Sequence, residues 1–250
     1  MPFAPTVTHA DPGTYGIAPP AFRLPDTTRL GAVTLRVADL ERSVHFYSRL
    51  LGFTLLDRAS GRATLGVPMG ATLRALVVLR EERGIRPAPS QGHTGLFHVA
   101  FLLPSRADLG RLVRDLSARG VRLGAGDHLV SEAFYLQDPD GLGIELYRDR
   151  PRDEWRRCGR ELMMATDPVD VTAVVDAGGG QPWRGMPEGT SIGHVHLKVG
   201  ALEPARAFYA EALGFDTTVW SYPGALFFGA GGYHHHLGTN VWAEIGRAHV

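Results

Sequence analysis

Apolar and polar residues alternate along residues 31–37 (GAVTLRV) and again along 192–199 (IGHVHLKV), with Val33, Leu35 and Val37 answered by Val195, Leu197 and Val199. A period of two predicts a strand with two differently used faces. Each run is followed by a stretch of helical period. In the first, Leu40, Val44, Tyr47 and Leu51 recur at spacings of three and four, with Asp39 placed as N-cap and Gly52 just past the C-terminus. The segments FTLLDR, RATLGV and ATLRALVVLREE then predict three more strands, so residues 30–90 read as β-α-β-β-β. A second such unit, 95–150, runs from LFHVAFLLP through the amphipathic RADLGRLVRDLSARGV to SEAFYLQDP and GIELYRD, and a third occupies 191–242. Residues 1–29 precede them as an extension. The intervening 151–190, rich in charge, Pro and Gly, reads as a linker with one helical patch near DEWRRCGRELM.

The pattern is a duplication. GAVTLRVADLERSVHFYSRLLGF returns 162 positions later as GHVHLKVGALEPARAFYAEALGF without a gap, and ten positions are identical, from Gly31/Gly193 to Phe53/Phe215. The differences between copies carry information: the repeated strand has Ala32 and Thr34 in the first copy but His194 and His196 in the second. One copy therefore offers imidazoles where the other offers none. The pairing logic of such a duplication calls for a fourth unit. None follows residue 242, and residues 244–250 (EIGRAHV) read as a non-native tail, so the chain is expected to be C-terminally truncated.

Composition narrows the chemistry. With 250 residues, 44% of them hydrophobic, and a formal net charge of zero, the chain has material for compact domains and no electrostatic pull toward nucleic acid or an anionic membrane. Cys158 is the only cysteine, which excludes a disulfide framework and a thiolate metal site, so any metal falls to His and carboxylate. No apolar run approaches a membrane span, and the opening lacks a signal-peptide layout; a cytoplasmic protein with a small-molecule partner is expected. Glu145, in the otherwise apolar GIELYRD, must be paired, exposed or metal-bound, because an unpaired buried carboxylate is costly. A lone strand histidine such as His98 is more often a packing residue than a ligand.

The elements strand-xLxV-DLxxSxxFYxxxLGF and FYLQDPDGLGIEL resemble the vicinal oxygen chelate superfamily, which includes glyoxalase I, bleomycin-resistance proteins and extradiol ring-cleaving dioxygenases. The resemblance covers about residues 30–150 and 190–242 and implies an α+β fold of tandem βαβββ modules forming open mixed-sheet barrels. By position it implies metal ligands at His194, three residues before Leu197, and at His98 and Glu145 in the second unit; Ala32 cannot ligate. Two histidines and one glutamate suit Fe(II), with Mn(II) as the other choice, in the manner of catechol 2,3-dioxygenase-like proteins. Tyr135, ten residues before Glu145, is then a candidate for hydrogen bonding the substrate. In the run Tyr233 to His236, His235 is the candidate acid/base, with His236 as the fallback if strand alternation turns His235 away. His128 lies near, but not at, the remaining histidine position around the metal site of such enzymes.

The implied partners are a small aromatic diol and dioxygen, with a homo-oligomer compatible. A glyoxalase-type isomerase or lyase, which uses four protein ligands, and a metal-free bleomycin-resistance-like binding protein are the alternatives. The order of units departs from familiar two-domain extradiol enzymes, because here the two-ligand unit precedes the one-ligand unit. A complete site requires the second and third units to share a barrel. Pairing of the first with the second would leave His98 and Glu145 facing Ala32.

Overall fold

The computed structural model describes residues 14–86 and 92–242. The first repeat forms β1 (Val33–Val37), α1 (Leu40–His45), which continues as a wider π turn over Phe46–Leu50, then β2 (Thr54–Ala59), β3 (Arg62–Met69) and β4 (Thr72–Glu81). Asp39 caps α1 by accepting from the Arg42 amide at 3.0 Å. Gly52 ends the turn at φ 89°, a backbone angle that side chains other than glycine's resist. These strands make a four-stranded sheet in the order β1-β4-β3-β2. Its register sets Arg36 opposite Arg80 and Arg80 opposite Arg62, all exposed, so a row of three guanidinium groups crosses one face of this sheet.

The second repeat comprises β5 (Gly95–Leu102), α2 (Arg106–Ala118), β6 (Gly124–Asp127), β7 (Ser131–Gln137) and β8 (Gly143–Asp149). After a crossover containing the hairpin β9 (Arg157–Cys158) and β10 (Glu161–Leu162) and the helix α3 (Val171–Ala177), the third repeat follows. It comprises β11 (Ser191–Lys198), α4 (Leu202–Arg206) with a π turn over Ala207–Ala212, β12 (Asp216–Val219), β13 (Ala225–Gly229) and β14 (Leu237–Asn240). The second and third repeats share one eight-stranded sheet, β12-β13-β14-β11-β5-β8-β7-β6. Their first strands, β5 and β11, meet antiparallel at its centre. The architecture is α+β, built of βαβββ units.

The crossover differs from a linker. The stretch DEWRRCGRELM holds no α-helix: a short 3-10 turn, Arg152–Glu154, precedes the β9–β10 hairpin, whose tip Gly159 has φ 58°. A glycine at a two-residue hairpin tip accepts that angle at little cost, and it overrides the local helical periodicity. Helix α3 packs on α2, where Leu109, Leu112, Val113 and Leu116 are buried. A Cβ on Gly110 would stand 2.1 Å from the Val174 carbonyl oxygen, so only glycine permits this close approach. Burying each of those leucines contributes roughly 1.5–3 kcal/mol. The described part of the extension, from residue 14, lies along β12: Ile17 bridges Thr217, and the Arg23 guanidinium donates to Asp216 at 2.7 Å.

Candidate metal centre and its cavity

Alternation along three strands builds the site. On β8, Glu145, Tyr147 and Asp149 share one face; on β5 the same face carries His98 and Ala100, and on β7 it carries Ala133 and Tyr135. Register then aligns Tyr135, Glu145, Ala100 and His194 in one row across β7, β8, β5 and β11. Ala100 is the small member of that row. Over its methyl group the Nε2 atoms of His98 and His194 each come within 3.1 Å of Glu145 Oε2 and within 3.4 Å of each other. All three residues are buried.

Charge at this point favours a divalent cation. Burial alone would raise the Glu145 carboxyl, but His194 and His98 hold it well below the usual carboxylate range. Burial pushes His194 down, toward the neutral imidazole that a metal requires. Two imidazole nitrogens and one carboxylate oxygen, their donor atoms within 4.8 Å of one another, form a donor set for such an ion with one side left to the cavity. The second ring nitrogen of His194, Nδ1, is buried without a hydrogen-bond partner.

That cavity has a volume of about 560 Å³. Phe97, Tyr222, Phe227, Trp242 and Met164 give it apolar walls, and Tyr135, His128, His196 and His235 bring polar atoms to it. His128 is fixed at both nitrogens: Nδ1 lies 2.7 Å from the Ala165 carbonyl and Nε2 lies 2.5 Å from the Tyr135 hydroxyl. The carbonyl can only accept, so Nδ1 carries a proton, and with one proton on the ring Tyr135 donates to Nε2. Burial and the nearby Glu145 charge push the Tyr135 pKa well up, which keeps the phenol protonated.

The Tyr-His-His-His run lies in the turn leading into β14 and not in a strand. Glycines at φ 59° and 67°, Gly231 and Gly232, set the chain reversal before it. His235 faces the cavity with its ring centroid 4.1 Å from that of His194, and burial drives its pKa well below the ordinary value. His236 is turned away: its Nδ1 accepts from the Ala230 amide at 3.3 Å, and burial draws its pKa down to about 4. The fallback assignment of His236 to the cavity therefore fails on geometry. His234 also points away from the cavity, toward Asp149.

Several cavity residues carry no periodic signal in the sequence. Met164, Ala165 and Thr166 reach the cavity from the irregular crossover, and Thr166 Oγ1 is 3.0 Å from the Tyr222 hydroxyl. His196 was visible as the second imidazole of β11, two residues from His194. It is buried between Phe97, Trp242 and Phe227, with Nε2 lacking a partner.

Residues 29–146 match the family described as Glyoxalase/Bleomycin resistance protein/Dioxygenase superfamily. The chain is 44% identical over 222 residues to the catechol-2,3-dioxygenase of Bacillus subtilis (strain 168), covering 87% of this chain and 76% of that protein. It is 30% identical over 126 residues to the putative ring-cleaving dioxygenase MhqA of the same organism, covering 49% of this chain and 40% of that one. Among solved structures, a putative dioxygenase from Bacillus subtilis subsp. subtilis str. 168 aligns with a TM-score of 0.59 at 15% identity, over 87% of this chain and 64% of that chain. At that identity the likeness concerns the fold, and the chain spans just under two thirds of that structure's length.

Proposed function

This chain belongs to the glyoxalase/bleomycin resistance protein/dioxygenase superfamily, and from that premise we propose that it is an extradiol ring-cleaving dioxygenase acting on a catechol-type aromatic diol. His98, Glu145 and His194 would hold Fe(II). The observation that carries the reading is the convergence of these three donors, within 3.1–3.4 Å of one another, on an aromatic-walled cavity. When bound, the iron supplies a Lewis acid for the diol oxygens and a redox partner for dioxygen.

The chain's own residues bind, orient and move protons. Tyr135 spends its proton on His128, so its oxygen lone pairs are left to accept a hydrogen bond from the diol, which orients the ring. His235, neutral and facing the cavity, is the proton acceptor and donor. Phe97, Phe227 and Trp242 exclude water and flank the ring. In the overall reaction the ring carbon–carbon bond beside the diol breaks and both atoms of dioxygen enter the product, so no external reductant is consumed.

The test is oxygen uptake by Fe(II)-loaded protein, prepared anaerobically, on mixing with catechol and air-saturated buffer. Equimolar oxygen consumption with a yellow ring-opened product is the expected result. Metal-dependent conversion of a substrate without oxygen uptake would replace this reading with a glyoxalase-type one, and binding without any metal would replace it with a resistance-type one.

A further inference from the structure

His234 is fully buried, lies outside the cavity, and takes no part in the reaction as set out above. Both of its nitrogens are nevertheless engaged. Nε2 lies 2.8 Å from Asp149 Oδ1, and Nδ1 lies 2.6 Å from Nδ1 of His235. Asp149 also accepts from the Tyr233 hydroxyl at 3.4 Å, and Tyr233 is 2.8 Å from the Tyr147 hydroxyl. The Trp155 and Tyr233 rings stand against His234 at centroid distances of 5.3 and 4.1 Å, closing its surroundings. A chain of hydrogen bonds thus runs from the end of β8 through His234 to the imidazole that faces the cavity.

We propose that His234 and Asp149 are positioning residues that set the tautomer of His235, leaving its Nε2 unprotonated toward the cavity. Donors and acceptors along this chain fix the arrangement. A carboxylate only accepts, so His234 Nε2 carries the proton that it gives to Asp149. Counting one proton per imidazole, His234 Nδ1 is then the bare nitrogen and can only accept. The 2.6 Å contact therefore requires His235 Nδ1 to be the donor. With its proton committed there, His235 presents a free Nε2 lone pair, the form a general base must have. An imidazolium at His235 would need a carboxylate of its own, and Asp149 is engaged by His234. The same β8 strand thus supplies Glu145 to the metal centre and, four residues on and on the same face, the anchor for the base.

This inference deepens the dioxygenase reading and is tested apart from it. Protein carrying nitrogen-15 histidines, loaded with diamagnetic Zn(II), is examined by two-bond proton–nitrogen correlation, with the His235 signals identified by their loss in His235→Gln. The wild-type chain should give His235 as the Nδ1–H tautomer. His234→Phe removes the acceptor, and His235 should then move to the Nε2–H form that a free imidazole prefers. His234→Gln, which keeps a carbonyl acceptor and an N–H donor, should retain the wild-type tautomer. If His234→Phe does not fold, Asp149→Ala serves, and it should yield a mixture. A wild-type His235 protonated at Nε2, or a tautomer unmoved by His234→Phe or Asp149→Ala, overturns the proposal whether or not the protein oxidises any diol. On the Fe(II) enzyme, His234→Phe should lower kcat by about 10²-fold, the low end for a misplaced acid/base, with metal content and KM nearly unchanged. A rise in KM with kcat intact would mean that His234 serves only to shape the cavity, and would also overturn it.

Discussion

Ala100 stands directly opposite His194 across the antiparallel junction of β5 and β11. The same residue is the parallel partner of Glu145 on β8. Partners in register project to the same face of a sheet, so the space over the Ala100 methyl group is where the imidazole and the carboxylate meet. The junction between the second and third repeats is thus also the centre of the candidate metal site, and the size of one side chain decides whether donors on either side can share an ion.

Ala100→Leu should accordingly abolish divalent metal binding while leaving His98, Glu145 and His194 in the chain. Ala100 is fully buried, so the larger side chain also overpacks the interior, at a cost of about 1–3 kcal/mol. Metal content by atomic absorption, read beside the urea midpoint, separates the two effects. Metal retained at the wild-type level would mean that the donors do not converge over Ala100.

Glu145→Ala removes the anion from the donor set and should lose metal affinity and activity together, because ligand charge holds a divalent ion against water. The loss also frees His98 and His194 from their shared acceptor. Purified variant protein with wild-type iron content would require the centre to be redrawn without Glu145.

The sharing of a sheet by the second and third repeats was legible only as a condition: a site with His98 and Glu145 needs a third donor, Ala32 offers none where His194 does, and the sequence left pairing of the first repeat with the second open. The strands and capped helices were legible from period and from residues such as Asp39 and Gly52. The crossover was not. Met164, Ala165 and Thr166 reach the cavity by tertiary packing of an irregular segment, and irregular backbone leaves no periodic trace. Glycine angles at 159, 231 and 232 decided the rest, making a hairpin where a helical patch was expected and a turn where alternation suggested a strand. The Asp149–His234 contact joins residues 85 positions apart, and no local pattern announces it.

Acid should unfold the protein partly through Glu132. Burial would raise this carboxyl, but hydrogen bonds from Arg106 at 2.8 Å and Arg148 at 2.7 Å outweigh burial and hold its pKa below the ordinary 4.5. The unfolded chain therefore binds a proton at a pH where the folded one does not. The stabilisation is complete above about pH 4.5 and is lost as pH falls from there through the lowered folded value. Glu132→Gln takes the shared counter-charge from both guanidinium groups and should cost about 3 kcal/mol at neutral pH. Its urea midpoint should also fall less steeply than wild type below pH 4.5; parallel curves would assign the acid sensitivity to other groups.

Tyr135→Phe isolates the role of the phenol. Tyr135 is no member of the donor set, so the variant should bind iron as wild type does, and the ring it keeps still fills the cavity wall. What disappears is the oxygen that can accept from the diol and the proton that satisfies His128 Nε2. His128, still tied to the Ala165 carbonyl through Nδ1, then presents a bare Nε2 toward the vacated space. Turnover should fall by about 10²-fold, within the range of a positioned proton-transfer group, and KM for catechol should rise because the orienting hydrogen bond is gone. His128→Phe, which leaves the phenol but removes its acceptor, should fall by less, since the Tyr135 oxygen remains to meet the diol. Steady-state oxygen uptake on both variants at matched iron content measures the difference, and a larger loss in His128→Phe would transfer the substrate contact from the phenol to the imidazole.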